Sequence, residues 1–272
     1  MLDTTGLRFP LDSYHPTAEQ RKTLERAQEI LVDRCMERYG FRYPGQPAES
    51  PSGDAENARR YGISSASRAA SHGYADGSRE APGKSPMDDL GSDEKLVLLG
   101  QERLDPTKLP KSQEEAEKSD EGTTSIGGRK VPAGGCLHEA TLKLFRPTKD
   151  IIDLMFVQNL MFDAYRRSQQ DSHVVKAAKS WSDCMAHQGL RTDEPVSPME
   201  DLGFKASEFA SPKAISAAKK DIACKAEVNL VGIWFSVETS DQNRLIDQNA
   251  ETLKRAKVQL EDRLRLANLI IK

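Results

Sequence analysis

The sequence carries the same short phrase twice, at residues 35–40 and at residues 184–189, and each copy reads Cys-Met-x-x-x-Gly. Each copy ends a stretch whose apolar residues recur every three or four positions, a spacing typical of an amphipathic helix. Glycine is the residue that most often follows the end of a helix. The repeated phrase therefore predicts two helices that each carry a core-facing cysteine in the last turn.

Cysteine usage predicts two disulfide bonds. The chain has four cysteines and no Cys-x-x-Cys pair, which favours disulfides over a zinc site. Of the three possible pairings we prefer Cys35 with Cys136 and Cys184 with Cys224, because each bond then joins a Cys-Met helix to the next cysteine in the chain. Such bonds would stabilise the fold by about 4 kcal/mol each and indicate an oxidising compartment.

A soft-metal site is the alternative use of the same residues. Thiolate, thioether and imidazole groups suit Cu(I), and the candidate ligands are Cys35, Met36, Cys184, Met185 and His187. Neighbouring residues on a helix point about 100° apart, so the Cys and Met of one pair do not easily reach one ion. The interpretation that we carry forward is two disulfides and no cofactor.

Composition excludes several classes of function. The net charge is −3 with acidic and basic residues interspersed, which gives no basic surface for nucleic acid. No apolar run approaches the roughly eighteen residues that a membrane-spanning helix needs, so we predict no transmembrane segment. The first thirty residues lack the basic-then-apolar order of a signal peptide, so an exported protein would need a targeting segment outside this sequence.

Three segments follow from the changes in composition. Residues 1–42 contain an N-terminal segment and the first Cys-Met helix, opened by a capping box of Thr17 and Gln20. Residues 43–135 are rich in Gly, Pro, Ser and charge, and are predicted to be an irregular insertion or linker with short helices near residues 58–63 and 93–100.

Residues 136–272 are predicted to form a helical domain. After helices beginning at Cys136, Thr148 and residues 171–172, the pair Ser211-Pro212 opens a proline-free amphipathic stretch that runs to the end of the chain. Gly232 and residues 239–243 are the places where this stretch would bend. One long helix and a helical hairpin both remain possible, and homo-oligomerisation through this stretch is a further possibility. The fold class is thus a mostly α, disulfide-stapled helical bundle with a long C-terminal amphipathic helix or hairpin and an irregular insertion.

No motif in the sequence specifies a reaction. The chain contains no phosphate-binding glycine loop, nucleophile elbow or His-Glu-x-x-His helix. His138 and Glu139 lie beside Cys136, but no nucleophile stands at a spacing that would make them a catalytic pair. We therefore predict no catalytic residues.

Five phrases together resemble a group of uncharacterised actinobacterial secreted proteins and lipoproteins, which share the repeated Cys-Met-x-x-x-Gly helix ends and a DxxCK motif. The phrases are Ala27–Phe41, Ala58–Ile63, Gly135–Ala140, Trp181–Gly189 and Asp221–Lys225. The resemblance implies an extracytoplasmic location, secreted or membrane-anchored, and no established activity.

The hypothesis is a non-enzymatic extracytoplasmic helical protein that mediates an interaction with a protein, a peptide or the cell envelope, including the cell wall. A copper-binding protein is one alternative. A cell-wall-acting enzyme, with its acids assembled from distant segments, is another.

Overall fold

The computed structural model describes residue 2 and residues 4–45, 57–75, 86–100, 106–118 and 124–272, and these residues are mostly helical. The α-helices are α1 Ala18–Glu37, α2 Ala66–His72, α3 Ser92–Leu99, α4 Gln113–Lys118, α5 Gly135–Phe145, α6 Phe156–Gln169, α7 Ser172–His187, α8 Pro198–Asp201, α9 Pro212–Glu227, α10 Leu230–Gln248 and α11 Ala250–Ile271. Two short strands, β1 Ser125–Ile126 and β2 Arg129–Lys130, pair antiparallel. The predicted fold class, a mostly α protein stapled by disulfides, is confirmed.

The chain divides into two compact units, each built from three stretches of sequence. Unit 1 comprises residues 1–13, 49–81 and 158–249, and unit 2 comprises residues 14–48, 82–157 and 250–272. The three segments predicted from composition do not coincide with these units, because each unit draws on all three of them. Parts of the predicted insertion, residues 46–56, 76–85, 101–105 and 119–123, lie outside the described residues.

Unit 2 is organised around α1, which packs against α3, α5 and α11. The predicted capping box starts this helix: Thr17 Oγ1 accepts from the Gln20 backbone N–H at 3.3 Å, and Gln20 Oε1 accepts from the Thr17 N–H at 2.9 Å. Toward the end of α1 the Cys35–Cys136 disulfide joins it to α5. The buried residues around this bond are Val32, Met36, Val97, Leu98, Val131 and Ala140.

Unit 1 has an aromatic core between α7, α9 and α10. The Trp234 ring lies 5.0 Å from the Tyr61 ring and is stacked at 5.7 Å on Tyr165. The Cys184–Cys224 disulfide joins α7 to α9 beside this core. Both repeated Cys-Met phrases thus lie at helix ends, and each bonds to a neighbouring helix of the same unit.

The C-terminal stretch consists of three helices, because the chain breaks at Val228-Asn229 and again at Asn249. The predicted bends at Gly232 and residues 239–243 are wrong, since both lie inside α10. Asn229 takes the left-handed conformation with φ of 52°, which asparagine tolerates better than most residues. A Cβ at Gly232 would lie 2.5 Å from Asn229 Oδ1, so this glycine leaves room for the asparagine side chain.

We expect Asn229→Ala to lower the free energy of unfolding by about 1 to 2 kcal/mol, because alanine is strained at a positive φ. Asn229→Gly should keep the wild-type stability within about 0.5 kcal/mol, since glycine adopts this conformation freely. The matched control is Asn243→Ala, which changes an exposed residue inside α10. Urea unfolding followed by tryptophan fluorescence measures all three. An equal loss from the two alanine variants would rule out strain at residue 229 as the cause.

Two further boundaries differ from the sequence prediction. The helix expected to begin at Thr148 begins at Phe156, because the Ile152 backbone N–H donates to Gln259 Oε1 at 3.0 Å instead of to a helical carbonyl oxygen. The short helix expected at residues 58–63 is a turn, whereas the one expected at residues 93–100 is confirmed as α3. Among the described residues, no helix combines the length and the apolar character needed to cross a membrane.

Candidate functional site

The four cysteines form the two preferred pairs, Cys35 with Cys136 and Cys184 with Cys224. Their Cα–Cα distances are 5.6 and 5.7 Å, within the usual range for a disulfide. Disulfides persist in oxidising compartments and are rare in the cytosol. The two bonds therefore indicate a non-cytoplasmic environment.

The alternative copper ligands are divided between the two units: Cys35 and Met36 lie in unit 2, and Cys184, Met185 and His187 lie in unit 1. Met36 and Met185 are fully buried in the cores of different units, and His187 is exposed at the end of α7. The cysteines that would supply thiolates are in disulfides. Across the part of the chain that the structure describes, no three His, Cys, Asp or Glu side chains are grouped to hold a metal ion.

A fully buried ion pair lies in unit 1, on one face of α9. Lys225 Nζ is 3.2 and 3.3 Å from the two carboxylate oxygens of Asp221, and neither side chain is exposed to solvent. Trp181 Nε1 donates to Asp221 Oδ1 at 2.9 Å, and Lys225 Nζ donates to the Ile63 carbonyl oxygen at 3.1 Å. Burial raises the pKa of Asp221 and lowers that of Lys225, against the attraction between the two groups. The pair is therefore shielded from solvent and enclosed by the core of unit 1.

A second buried network surrounds Glu238 of α10. Arg60 Nε lies 2.9 and 3.0 Å from the two carboxylate oxygens, and the Tyr61 hydroxyl donates to Oε2 at 2.7 Å. Gln242 Nε2 donates to Oε1 at 3.0 Å. The Arg60 guanidinium also lies 5.1 Å from the Tyr165 ring centre. Each polar group named here has a hydrogen-bond partner within the network, so we interpret the network as part of the core.

Glu139 lines a groove of about 320 Å³ in unit 2, and its neighbour His138 is not part of that lining. Arg38 and Lys143 each contact the Glu139 carboxylate at 2.5 Å. Burial opposes ionisation of this carboxyl, but hydrogen bonds from Lys143 and Arg38 hold its pKa below the usual range. His138 Nε2 lies 2.8 Å from the Pro110 carbonyl oxygen. The histidine and the glutamate are thus held by separate partners and do not form an acid–base pair.

The groove that best fits a ligand is a second one in unit 2, of about 250 Å³, which we call the Arg263 groove. It lies between the first turns of α1, the segment 152–157 and α11. Its wall is largely apolar; the residues that form this wall are Pro16, Leu24, Phe145, Ile152, Leu154, Val157, Ala256 and Leu260. The polar residues of the lining are Tyr14, His15, Arg21, Glu25, Asp153, Gln259 and Arg263.

The segment that forms one side of this groove is fixed to α11 by hydrogen bonds from the side chains of Gln259 and Arg255. Gln259 accepts from the Ile152 N–H at 3.0 Å and donates through Nε2 to the Asp150 carbonyl oxygen at 2.9 Å. Asp153 Oδ1 accepts from the Met155 N–H at 3.0 Å, which closes the turn before α6. The groove is therefore bounded by a held segment and two helices, and its apolar wall is preformed.

Arg263 supplies the distinctive charge of the groove. Its guanidinium is half-buried and lies 5.3 Å from the centre of the Phe145 ring. Burial, together with the positive charge of Arg146, lowers the pKa of Arg263, yet an arginine side chain stays charged at neutral pH. Among the residues that the structure describes, no carboxylate lies within ion-pair distance of this guanidinium. A partly desolvated cation without a counter-charge is unfavourable, and a bound anion would relieve that cost.

Sequence reasoning did not find this groove, because Arg263 occupies an ordinary polar position in the amphipathic repeat of α11. No family model, curated protein or solved structure matches the chain. The resemblance to actinobacterial secreted proteins and lipoproteins therefore stays a prediction.

Proposed function

We propose that the protein is a non-enzymatic binding protein of an oxidising, extracytoplasmic compartment, and that it receives a segment of a protein or peptide partner in the Arg263 groove. One observation carries this proposal: a charged guanidinium, with no carboxylate partner among the described residues, stands beside a preformed apolar wall. Ligand sites combine a mostly apolar lining with a few placed polar groups in this way.

A comparison of Arg263 with the other buried charges also supports the proposal. Asp221 is paired with Lys225, Glu238 is paired with Arg60, and both pairs are completed by further hydrogen bonds. The charges and hydrogen-bonding atoms of such fully paired groups are already used within the protein, so they are not available to a ligand. Arg263 differs because none of the described residues supplies it with a counter-charge.

The two disulfides support the extracytoplasmic part of the proposal. The copper-binding alternative would need thiolates, and the four cysteines are in disulfides. A cell-wall-acting enzyme would need a carboxyl able to donate a proton, and Glu139 is held ionised by Arg38 and Lys143.

The proposal predicts that filling the groove abolishes binding. Peptides are selected against the purified protein from a random library displayed with free C-termini, and their affinities are measured by fluorescence anisotropy. Ala256→Trp, which places an indole on the groove wall, should weaken binding by about tenfold or more, the equivalent of about 1.4 kcal/mol.

The matched control is Lys254→Trp, which adds the same side chain at an exposed position of α11. It should leave the affinities unchanged, and circular dichroism should show that both variants remain folded. Failure of the library to yield any binder, or equal binding by the two variants, would contradict the proposed function.

A further inference from the structure

The residues that line the Arg263 groove restrict the kind of ligand that it can bind. We infer that it binds the C-terminal residue of a partner polypeptide, with the terminal carboxylate against Arg263 and an aliphatic or aromatic side chain against the apolar wall. This inference rests on the proposed function and names the part of the partner that enters the groove.

Charge complementarity is the first argument. A guanidinium presents donors in a planar fork that matches the two oxygens of a carboxylate. Arg263 has its ring contact with Phe145 but no carboxylate from the described chain, so a ligand carboxylate would complete its coordination. Such a charge-assisted pair in a half-buried site is stronger than the same pair at an open surface.

The position of the apolar wall is the second argument. Leu154, Leu260 and Phe145 line the same groove as Arg263, so a ligand must bring an apolar group close to its carboxylate. The carboxylates of aspartate and glutamate side chains end those side chains and carry nothing apolar beyond them. In a C-terminal residue the carboxylate and the side chain leave the same Cα, which gives the required arrangement. Capture of a C-terminal carboxylate is a known mode of peptide recognition.

The volume of the groove is the third argument. At about 250 Å³ it lies just below the range of about 300 to 1,000 Å³ that is usual for sites enclosing a whole drug-sized ligand. It therefore suits an anchor residue at the end of a longer chain. The carboxylates of Glu25 and Asp153 also line the groove, so we expect acidic residues just before the terminus to be disfavoured.

The test compares two forms of one peptide on the wild-type protein. The probe is Gly-Ser-Gly-Leu labelled with fluorescein at its N-terminus, made once with a free C-terminal carboxylate and once as the C-terminal amide. We expect the free acid to bind about tenfold or more tightly than the amide, because only the acid neutralises Arg263. Replacing the terminal leucine with glycine should also weaken binding.

Arginine variants assign the effect to one side chain. Arg263→Gln should remove the difference between acid and amide. Arg265→Gln, two residues along α11, changes an exposed arginine that is paired with Asp262, and it should preserve that difference. Because the acid–amide comparison is made on wild-type protein, it does not depend on how well a variant folds.

The possible outcomes separate this inference from the proposed function. If acid and amide bind equally while Ala256→Trp still weakens both, the C-terminal inference is wrong and the binding function stands. If decanoate binds the groove and no peptide displaces it, the occupant is a fatty acid and the inference is overturned. If the library yields no peptide whose binding depends on the groove, both the C-terminal inference and the proposed function are wrong.

Discussion

Replacing Lys225 with methionine should lower the free energy of unfolding by about 3 to 5 kcal/mol, because it leaves a buried carboxylate without its counter-charge. Asp221 is fully buried, and the hydrogen bond from Trp181 would not replace the lost positive charge. Both tryptophans of the chain, Trp181 and Trp234, lie in unit 1, so urea unfolding followed by tryptophan fluorescence reports on this unit.

The loss in Lys225→Met should grow with pH. Burial already raises the pKa of Asp221, and removing the lysine removes the attraction that opposes this rise. An acid whose pKa is higher in the folded state binds more protons when folded, so stability falls as the pH rises above about 3.9, its unfolded value. The variant should therefore be least impaired near pH 4 and most impaired at neutral pH.

Two controls accompany this variant. Lys219→Met removes an exposed lysine from the same helix and should cost less than about 0.5 kcal/mol. The double variant Asp221→Leu, Lys225→Met should recover part of the stability, since no charge then remains buried. A Lys225→Met loss below about 1 kcal/mol at neutral pH, or one that does not change with pH, would show that the pair does not hold the core as described.

Removing the Cys35–Cys136 bond with Cys35→Ala, Cys136→Ala should lower the free energy of unfolding by about 4 to 5 kcal/mol in the chain-entropy model. The large effect follows from the loop that this bond closes, with a sequence separation of 101 residues. Removing Cys184–Cys224, with a separation of 40, should cost somewhat less, about 4 kcal/mol. Circular dichroism in urea under non-reducing conditions measures both.

A thiol assay on the denatured, unreduced wild-type protein serves as the control for these variants. It should find no free thiols, because all four cysteines are paired. Four free thiols would contradict the disulfide assignment. A double-alanine variant as stable as the wild type would show that the Cys35–Cys136 bond contributes nothing to the fold.

Local signals in the sequence predicted much of the helical framework. The Thr17–Gln20 capping box begins α1 and the Ser211-Pro212 pair begins α9, both as predicted. These starts are predictable because capping depends on residues only three positions apart. The sequence does not predict the break at Asn229, because no local capping signal marks it. Asparagine inside an apolar repeat reads as a weak helix former, and its left-handed conformation becomes evident only with the space left by Gly232.

The site residues were less predictable, because their meaning depends on remote neighbours. Asp221 and Lys225 stand at i and i+4, a spacing that usually indicates an exposed helix pair, and their burial requires Trp181 and Ile63 from other segments. The Arg263 groove similarly combines α1, the segment near residue 154 and α11. Only the tertiary structure shows that its guanidinium has an apolar wall beside it and no carboxylate partner in the described part of the chain.

The central claim is that a ligand occupies the Arg263 groove, and isotope-filtered NMR of the wild-type protein with the free-acid Gly-Ser-Gly-Leu peptide tests it most directly. We expect nuclear Overhauser contacts from the methyl groups of the peptide leucine to the Phe145 ring and to the methyl groups of Leu154 and Leu260, the residues that line the groove. Contacts confined to any other surface of the protein would contradict the claim.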